Sequence, residues 1–254
     1  MDPLQCAIET ARAAGDVLLA HVGTELAIEE KSSRADLVTR ADRASEELIV
    51  RRLRSAFPHA TILGEEGGTT VGTSDERWIV DPLDGTTNFA HDYPLYCISI
   101  AYERAGELVA AAIYAPALDE MYAAERGAGA TLDGRRISVT QTRHVADALV
   151  CTGFKPAQYE RNGAHFGALS RVAQGVRRDG SAALDLAFVA SGRFDAFWEF
   201  DLYAWDVAAG VLMVREAGGC VTAIDGSTFS VEGRSTLATN AAVHAAMRDA
   251  LALP

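Results

Sequence analysis

Apolar residues return at helical spacing along the first segment of the chain. Leu4, Ala7, Ile8, Ala11, Ala14, Val17 and Leu18 fall on one face and predict an amphipathic helix over residues 3–21. A polar stretch with Lys31, Ser32 and Ser33 follows, then a second helix over about 39–56, stopped by Pro58. The pattern then changes. Residues 60–63 and 77–80 are short continuous apolar runs, predicted as buried strands, and each runs straight into acids. The Gly/Thr-rich GGTTVGTSDE between them reads as a loop. Residues 95–125 read as a meander: LYCISIAYE, a turn at Ala105 and Gly106, ELVAAAIYA, a turn near Pro116, then DEMYAAE. Asp133-Gly134 marks another tight turn.

The second half alternates again. Residues 149–152 predict a strand, and the polar stretch 155–164 a mobile loop. Residues 181–191 and 206–216 predict helices, each closed by glycine (Gly192; Gly218 and Gly219). Strands near 195–199 and 220–223 separate them, and a helix over 240–251 ends the pattern. With no repeat, low-complexity tract or linker, the expectation is one α+β unit over 1–254, helices layered on sheets with a substantial antiparallel part. A two-lobed division near residue 145 stays open.

A net charge of −12 argues against nonspecific nucleic-acid binding, which runs on basic patches. It does not argue against anionic substrates, because bound metal ions invert the local sign of a site. Cys6, Cys97, Cys151 and Cys220 show no C-x-x-C and lie in apolar or small-residue stretches, so buried reduced thiols are expected. The first residues lack a basic segment followed by an apolar block, and apolar runs such as 110–117 are too short to cross a bilayer. A cytoplasmic protein is the expectation.

Three stretches carry candidate chemistry: Gly64-Glu65-Glu66, the run from Trp78 to Asn88 containing Asp81-Pro82-Leu83-Asp84-Gly85, and Trp205-Asp206. A strand delivers Asp81, Pro82 fixes the backbone, and Gly85 permits a tight turn after Asp84. Two carboxylates and the Leu83 carbonyl aimed at one point would repel unless a hard cation sat there, and magnesium takes such ligands. Each piece alone has a plainer reading. Asp-Pro-Leu-Asp-Gly suits any turn, Glu65-Glu66 a solvated loop edge, and Asp206 an ordinary helix N-cap. Thr86, Thr87 and Asn88 follow at once as a helix start with free N–H groups. The three stretches in this order lift the metal reading above turn chemistry.

GEE, DPLDGTTNF and WD together resemble the signature set of the inositol-monophosphatase family of metal-dependent, lithium-sensitive phosphatases. The resemblance extends over essentially the whole chain, including KSSRADLVTRAD and DGSAALDLAFVASG. It implies a layered α/β/α/β/α sandwich of the sugar-phosphatase type with largely antiparallel sheets, a homodimer, and two or three Mg2+ ions. It implies that Glu65, Asp81 and the Leu83 carbonyl bind a first metal, and that Asp81, Asp84 and Asp206 surround a second. Glu65 would also touch a third ion, with Glu66 in support. Thr86 and Asp42 would orient the water that attacks phosphorus directly, with no phospho-enzyme. Asp42 also suits a first-turn acid favoured by its helix dipole. Lys31 would sit on a loop closing near the third ion, or is simply a solvated charge.

The resemblance also places Gly85, Thr86 and Thr87 amides on the phosphate, beside Asp84 and Asp206. Gly180, Ser181 and Ala182 would meet ring hydroxyls, and Glu199 would accept hydrogen bonds from them, although a strand-end surface acid is an equal reading of Glu199. No Ser-His pair or H-x-x-x-H pattern offers competing chemistry. The implied activity is hydrolysis of inositol monophosphate or a similar polyol or sugar phosphate. Histidinol phosphate and fructose 1,6-bisphosphate are the alternative substrates, and a non-catalytic role in a transcription complex is the alternative function.

Overall fold

The computed structural model describes residues 1–24, 29–30 and 37–252. Helix α1 spans Pro3–His21, with Asp2 capping its start by accepting the Gln5 N–H. Strands β1 (Glu29–Glu30) and β2 (Leu37–Val38) pair antiparallel ahead of α2 (Arg40–Ala56). A large sheet follows, made of β3 (Thr61–Gly64), β4 (Gly68–Thr70), β5 (Glu76–Asp84), β6 (Cys97–Arg104), β7 (Glu107–Ala115), β8 (Glu120–Glu125), β9 (Gly129–Leu132) and β10 (Arg135–Arg136). Its order is β10-β9-β8-β7-β6-β5-β3-β4. The short helix α3 (Thr86–Ala90) follows β5 directly.

The second half begins with β11 (Leu149–Thr152), α4 (Tyr159–Leu169), β12 (Gly175–Arg177) and α5 (Ala182–Ala190). It continues with β13 (Ala196–Phe200), α6 (Ala204–Glu216), β14 (Cys220–Thr222), β15 (Ser235–Thr239) and α7 (His244–Leu251). The five strands form a second sheet in the order β12-β11-β13-β15-β14. The large sheet is antiparallel except where β3 pairs β5, whereas the second sheet is mixed, with β11 parallel to both neighbours.

Three apolar cores explain the layering. Helices α1 and α2 cover one face of the large sheet through Leu18, Ile49, Leu53, Trp78 and Ile100. Helices α5 and α6, buried along nearly their whole lengths, fill the space between the two sheets. Helices α4 and α7 cover the far face of the second sheet through Leu169, Met247, Trp198 and Leu237. The resulting α/β/α/β/α order is the expected architecture.

Several boundaries differ from the sequence reading for physical reasons. Residues 159–164 are helical, not loop; Phe166 meets Phe154 and His165 meets Phe200, so packing overrides the weak helix propensity of Gly163 and Gly167. Strand β5 does not stop at Asp81. It continues to Asp84 through a bulge, because three steps from Asp81 to Asp84 oppose two from Ser99 to Cys97. Pro82, which has no amide to donate, sits in that irregularity. Three thiols are buried and Cys220 is partly exposed; all four are free.

Close approach of α5 and α6 depends on Gly210, where a Cβ would overlap the Leu186 side chain. Gly210→Ala is therefore expected to lower stability by about 1–3 kcal/mol, although alanine ordinarily favours helices. Urea unfolding measures it, and an unchanged or higher midpoint would contradict this packing account.

Candidate metal centre and active site

The site grows out of the β5 bulge. Asp81 Oδ1 accepts the Leu83 N–H at 3.0 Å, an Asp side chain bonding its own backbone two residues on across Pro82. Gly85 then takes φ +94°, and a Cβ there would stand 2.9 Å from the Leu95 carbonyl oxygen. This abrupt change of direction starts α3 and presents Thr86 to Asp42. Asn88 ties the bend down by donating to the carbonyls of Leu95 (2.6 Å) and Asp179 (2.7 Å).

Asp84 is held from the other side of the core. Its Oδ2 accepts the Ser181 hydroxyl and the Ala183 N–H, both at 2.7 Å. The start of α5 is thus turned onto a carboxylate, where N–H groups and the helix dipole favour negative charge. Ser181 is 1% exposed, so in this arrangement its hydroxyl serves Asp84. Asp206 stands at the third helical position of α6. Tyr203 is the N-cap, and Asp206 Oδ2 accepts its N–H at 2.6 Å. The N-cap reading of Asp206 is thereby corrected by three residues, because α6 begins at Ala204.

On the opposite side, helix α2 supplies Asp42. Its Oδ2 accepts the Thr39 N–H (2.8 Å) and hydroxyl (2.6 Å), closing the start of α2. Its Oδ1 lies 3.0 Å from Thr86 Oγ1. One side chain thus both closes the start of α2 and meets the Thr86 hydroxyl. Thr86 Oγ1 also lies 3.2 Å from the Leu83 carbonyl, so its single proton has two competing acceptors. Glu65 and Glu66 follow β3 on the turn before β4, half-buried. Glu199 on β13 is 8% exposed, which removes the surface-acid reading. Gly153 makes room for it, since a Cβ there would overlap its carboxylate. Gly180 adopts φ +85° beside Asn88, and Ala182 is buried at the start of α5. Lys31 lies outside the described residues.

Electrostatics join these acids into one centre. Burial pushes the Asp81 carboxyl well up, and repulsion from Glu65, Asp84 and Asp206 adds to it. Burial raises Asp84 while Ser181 and the first amides of α5 pull it back. Burial and repulsion from Asp84 bring Asp206 to about 8. Glu199 is raised well above the usual range by burial, then by Asp206 and Asp84. Among the described residues no three such side chains close as a cage on one point. Magnesium does not require one, since it keeps several waters and takes one or two carboxylates with substrate oxygens. A partly buried, oxygen-only, mutually repelling donor set fits such a hard divalent ion.

Sequence reasoning passed over several contributors. Ser45 donates to the Pro82 carbonyl at 2.8 Å, and Glu46 Oε2 accepts the Gly67 N–H at 2.8 Å. Their signal was spacing, three and four residues beyond Asp42. Asp185 is 1% exposed with neither oxygen hydrogen-bonded; burial and repulsion by Asp179, Glu199 and Asp84 favour its neutral form. One apolar neighbourhood at one helix turn gave no warning of it.

Fold and site define a layered α+β protein with a partly buried polyacid centre suited to divalent cations. A model of the inositol monophosphatase family matches residues 2–252. The inositol-1-monophosphatase of Rhizobium meliloti is 47% identical, over 87% of this chain and 84% of its own. The Nus factor SuhB of Pseudomonas aeruginosa is 42% identical, over 93% and 91% respectively. The crystal structure of the extragenic suppressor protein SuhB from Bartonella henselae matches with a TM-score of 0.94 and 39% identity, covering 98% of this chain and 97% of that one. The chain belongs to the inositol monophosphatase family.

The raised carboxyls fix a pH dependence. An acid that keeps its proton to about pH 8 when folded, but loses it near 4 when unfolded, costs stability increasingly as pH rises between those values. Without divalent metal, the melting temperature is expected to fall from pH 6 to 8. Asp206→Asn should flatten that fall, raise the metal-free melting temperature, and shrink the rise produced by magnesium. Calorimetry with EDTA or magnesium reads all three, and a wild-type melting temperature indifferent to magnesium would contradict the assignment.

Proposed function

We propose that the protein is a magnesium-dependent phosphomonoesterase acting on inositol monophosphate or a similar polyol or sugar phosphate. Its family is one of phosphoric monoester hydrolases. The observation that carries the reading is the Thr86–Asp42 pair set beside the repelling acids of the β5 bulge. Bound magnesium would neutralise the phosphate and lower the pKa of water at the centre. Glu65, Asp81, the Leu83 carbonyl, Asp84 and Asp206 are the groups assigned to hold two or three such ions, with Glu66 supporting the turn.

The chain's own residues supply the rest. With its O–H donating a hydrogen bond to Asp42, Thr86 Oγ1 would accept a hydrogen bond from the attacking water through its free lone pairs and so orient it, with Asp42 as the acidic end of that relay. The amides of Gly85, Thr86 and Thr87 are assigned to phosphate oxygens at the start of α3. Glu199 is assigned to accept hydrogen bonds from substrate hydroxyls. Gly180 and Ala182 are assigned to the same ring contacts, and Ser181 acts through Asp84 in addition to any ring contact. Residues 1–254 act as one catalytic unit and pair as a homodimer, which sedimentation would test. No helix among the described residues is long and apolar enough to cross a membrane, and the compartment proposed is the cytoplasm.

Magnesium-dependent phosphate release is the direct test, on inositol 1-phosphate, fructose 1,6-bisphosphate and histidinol phosphate side by side. Inositol 1-phosphate is expected to be preferred, with inhibition by lithium. Thr86→Ala should lower kcat by about 100-fold or more, the usual weight of general acid–base assistance, while leaving KM much less changed. Asp84→Asn should lose most turnover and remain folded; activity like the wild type would refute the metal centre. The relatives named Nus factor SuhB favour a second reading, a binding role in a transcription complex. An inactive Asp84→Asn chain that still performed the cellular role would support it.

A further inference from the structure

Helix α2 offers one buried polar face to the centre. Asp42, Ser45 and Glu46 are 0%, 0% and 6% exposed and lie at i, i+3 and i+4 spacing, which aligns them on a single side of the helix. Each reaches a different motif. Asp42 meets Thr86, Ser45 meets the Pro82 carbonyl, and Glu46 meets the turn that carries Glu65 and Glu66. The first two contacts belong to the reacting centre and the bulge. The third has no such role.

The Glu46 contact is built with little slack. Its Oε2 accepts the Gly67 N–H at 2.8 Å. Its Oε1 is buried without a hydrogen-bond partner and lies against Gly64, where any Cβ would overlap it. Gly67 offers the same carboxyl a close approach, with a Cβ there 3.5 Å from Oε2. Gly64, just before Glu65 and Glu66, thus leaves the room that the Glu46 carboxyl occupies. Burying an acid with one oxygen unpaired costs stability, so the position is not explained by packing alone.

We propose that Glu46 is a positioning residue that fixes the Glu65–Glu66 turn from beneath, setting the direction of the Glu65 carboxylate toward the metal centre. This rests on the magnesium reading above. Groups that orient a metal ligand without touching the ion typically carry about 10–100-fold in affinity or activity. Glu46 acts on the ligand through the backbone of its turn, not through the substrate.

The test is a magnesium chloride titration of the metal-free chain, read by melting temperature and by calorimetric binding, with phosphate release as a third readout. Glu46→Ala should raise the magnesium concentration for half-maximal response by about 10–100-fold. It should also speed amide exchange in the peptide containing Glu65, Glu66 and Gly67. Glu46→Gln keeps an acceptor for the Gly67 N–H and should recover most of the affinity. Glu46→Asp keeps the carboxyl but falls a methylene short, and should behave like alanine; it carries the test if Glu46→Ala does not fold. A folded Glu46→Ala or Glu46→Asp protein with the wild-type magnesium response overturns the proposal, as does equal loss in the glutamine and alanine variants. A wild-type chain that neither responds to magnesium nor releases phosphate overturns the functional reading, and this inference with it.

Discussion

Carboxylates placed near one another out of water repel, and this repulsion organises the centre of the molecule. Asp81, Asp84 and Asp206 each have raised carboxyls, Asp84 through burial and Asp81 and Asp206 through burial and like charge together. A fold can tolerate that only where fixed dipoles and hydrogen-bond donors offset part of the cost. The Leu83 amide faces Asp81, the start of α5 faces Asp84, and the Tyr203 amide faces Asp206. Each donor uses one oxygen, and Asp81 and Asp206 each have a second oxygen that these bonds do not occupy. The donors therefore offset part of the cost of the repelling set.

The layered fold is what brings those donors together. Asp81 and Asp84 come from the large sheet, while Asp206 and the Asp84 partners come from α6 and α5 between the sheets. Glu199 comes from the second sheet, and Asp42 from the outer helix layer. The middle helices fit between the sheets only because Gly210 lets α6 approach Leu186 of α5. A change in that spacing would move Ser181 and Ala183 relative to Asp84, and so would reach the centre through packing. Core and site are in this respect one construction.

Elements with a clean period were legible in the chain. Helix α1 and the meander β6–β7–β8 sit where alternation and turn residues put them, and Asp133-Gly134 turns with both φ values positive. Helix α4 was not legible, because its apolar face is thin and its glycines speak for a loop. The start of α6 was missed because Tyr203 is not a residue that announces an N-cap. At the site, the acids of GEE, DPLDG and WD were legible as a set, since chemistry rather than geometry selects them. Their supports were not. Nothing in the spelling of Ser181 says that its hydroxyl faces a carboxylate 97 residues earlier. Glu46 and Glu47 are adjacent glutamates, and only the fold decides that Glu46 is the buried one.

Helix α2 has a consequence for how the centre works. A helix is stiff over one turn, so Asp42, Ser45 and Glu46 cannot move independently. The proton acceptor of Thr86, the bulge at Pro82 and the Glu65 turn are thereby referred to the same rigid element. That element is itself seated on the sheet by Ile49 and Leu53, which are fully buried. In the proposed reaction a shift of α2 would change the orientation of the attacking water and the direction of an assigned metal ligand together. Metal affinity and turnover would then be coupled through the backbone of a helix to which no ion ligand is assigned.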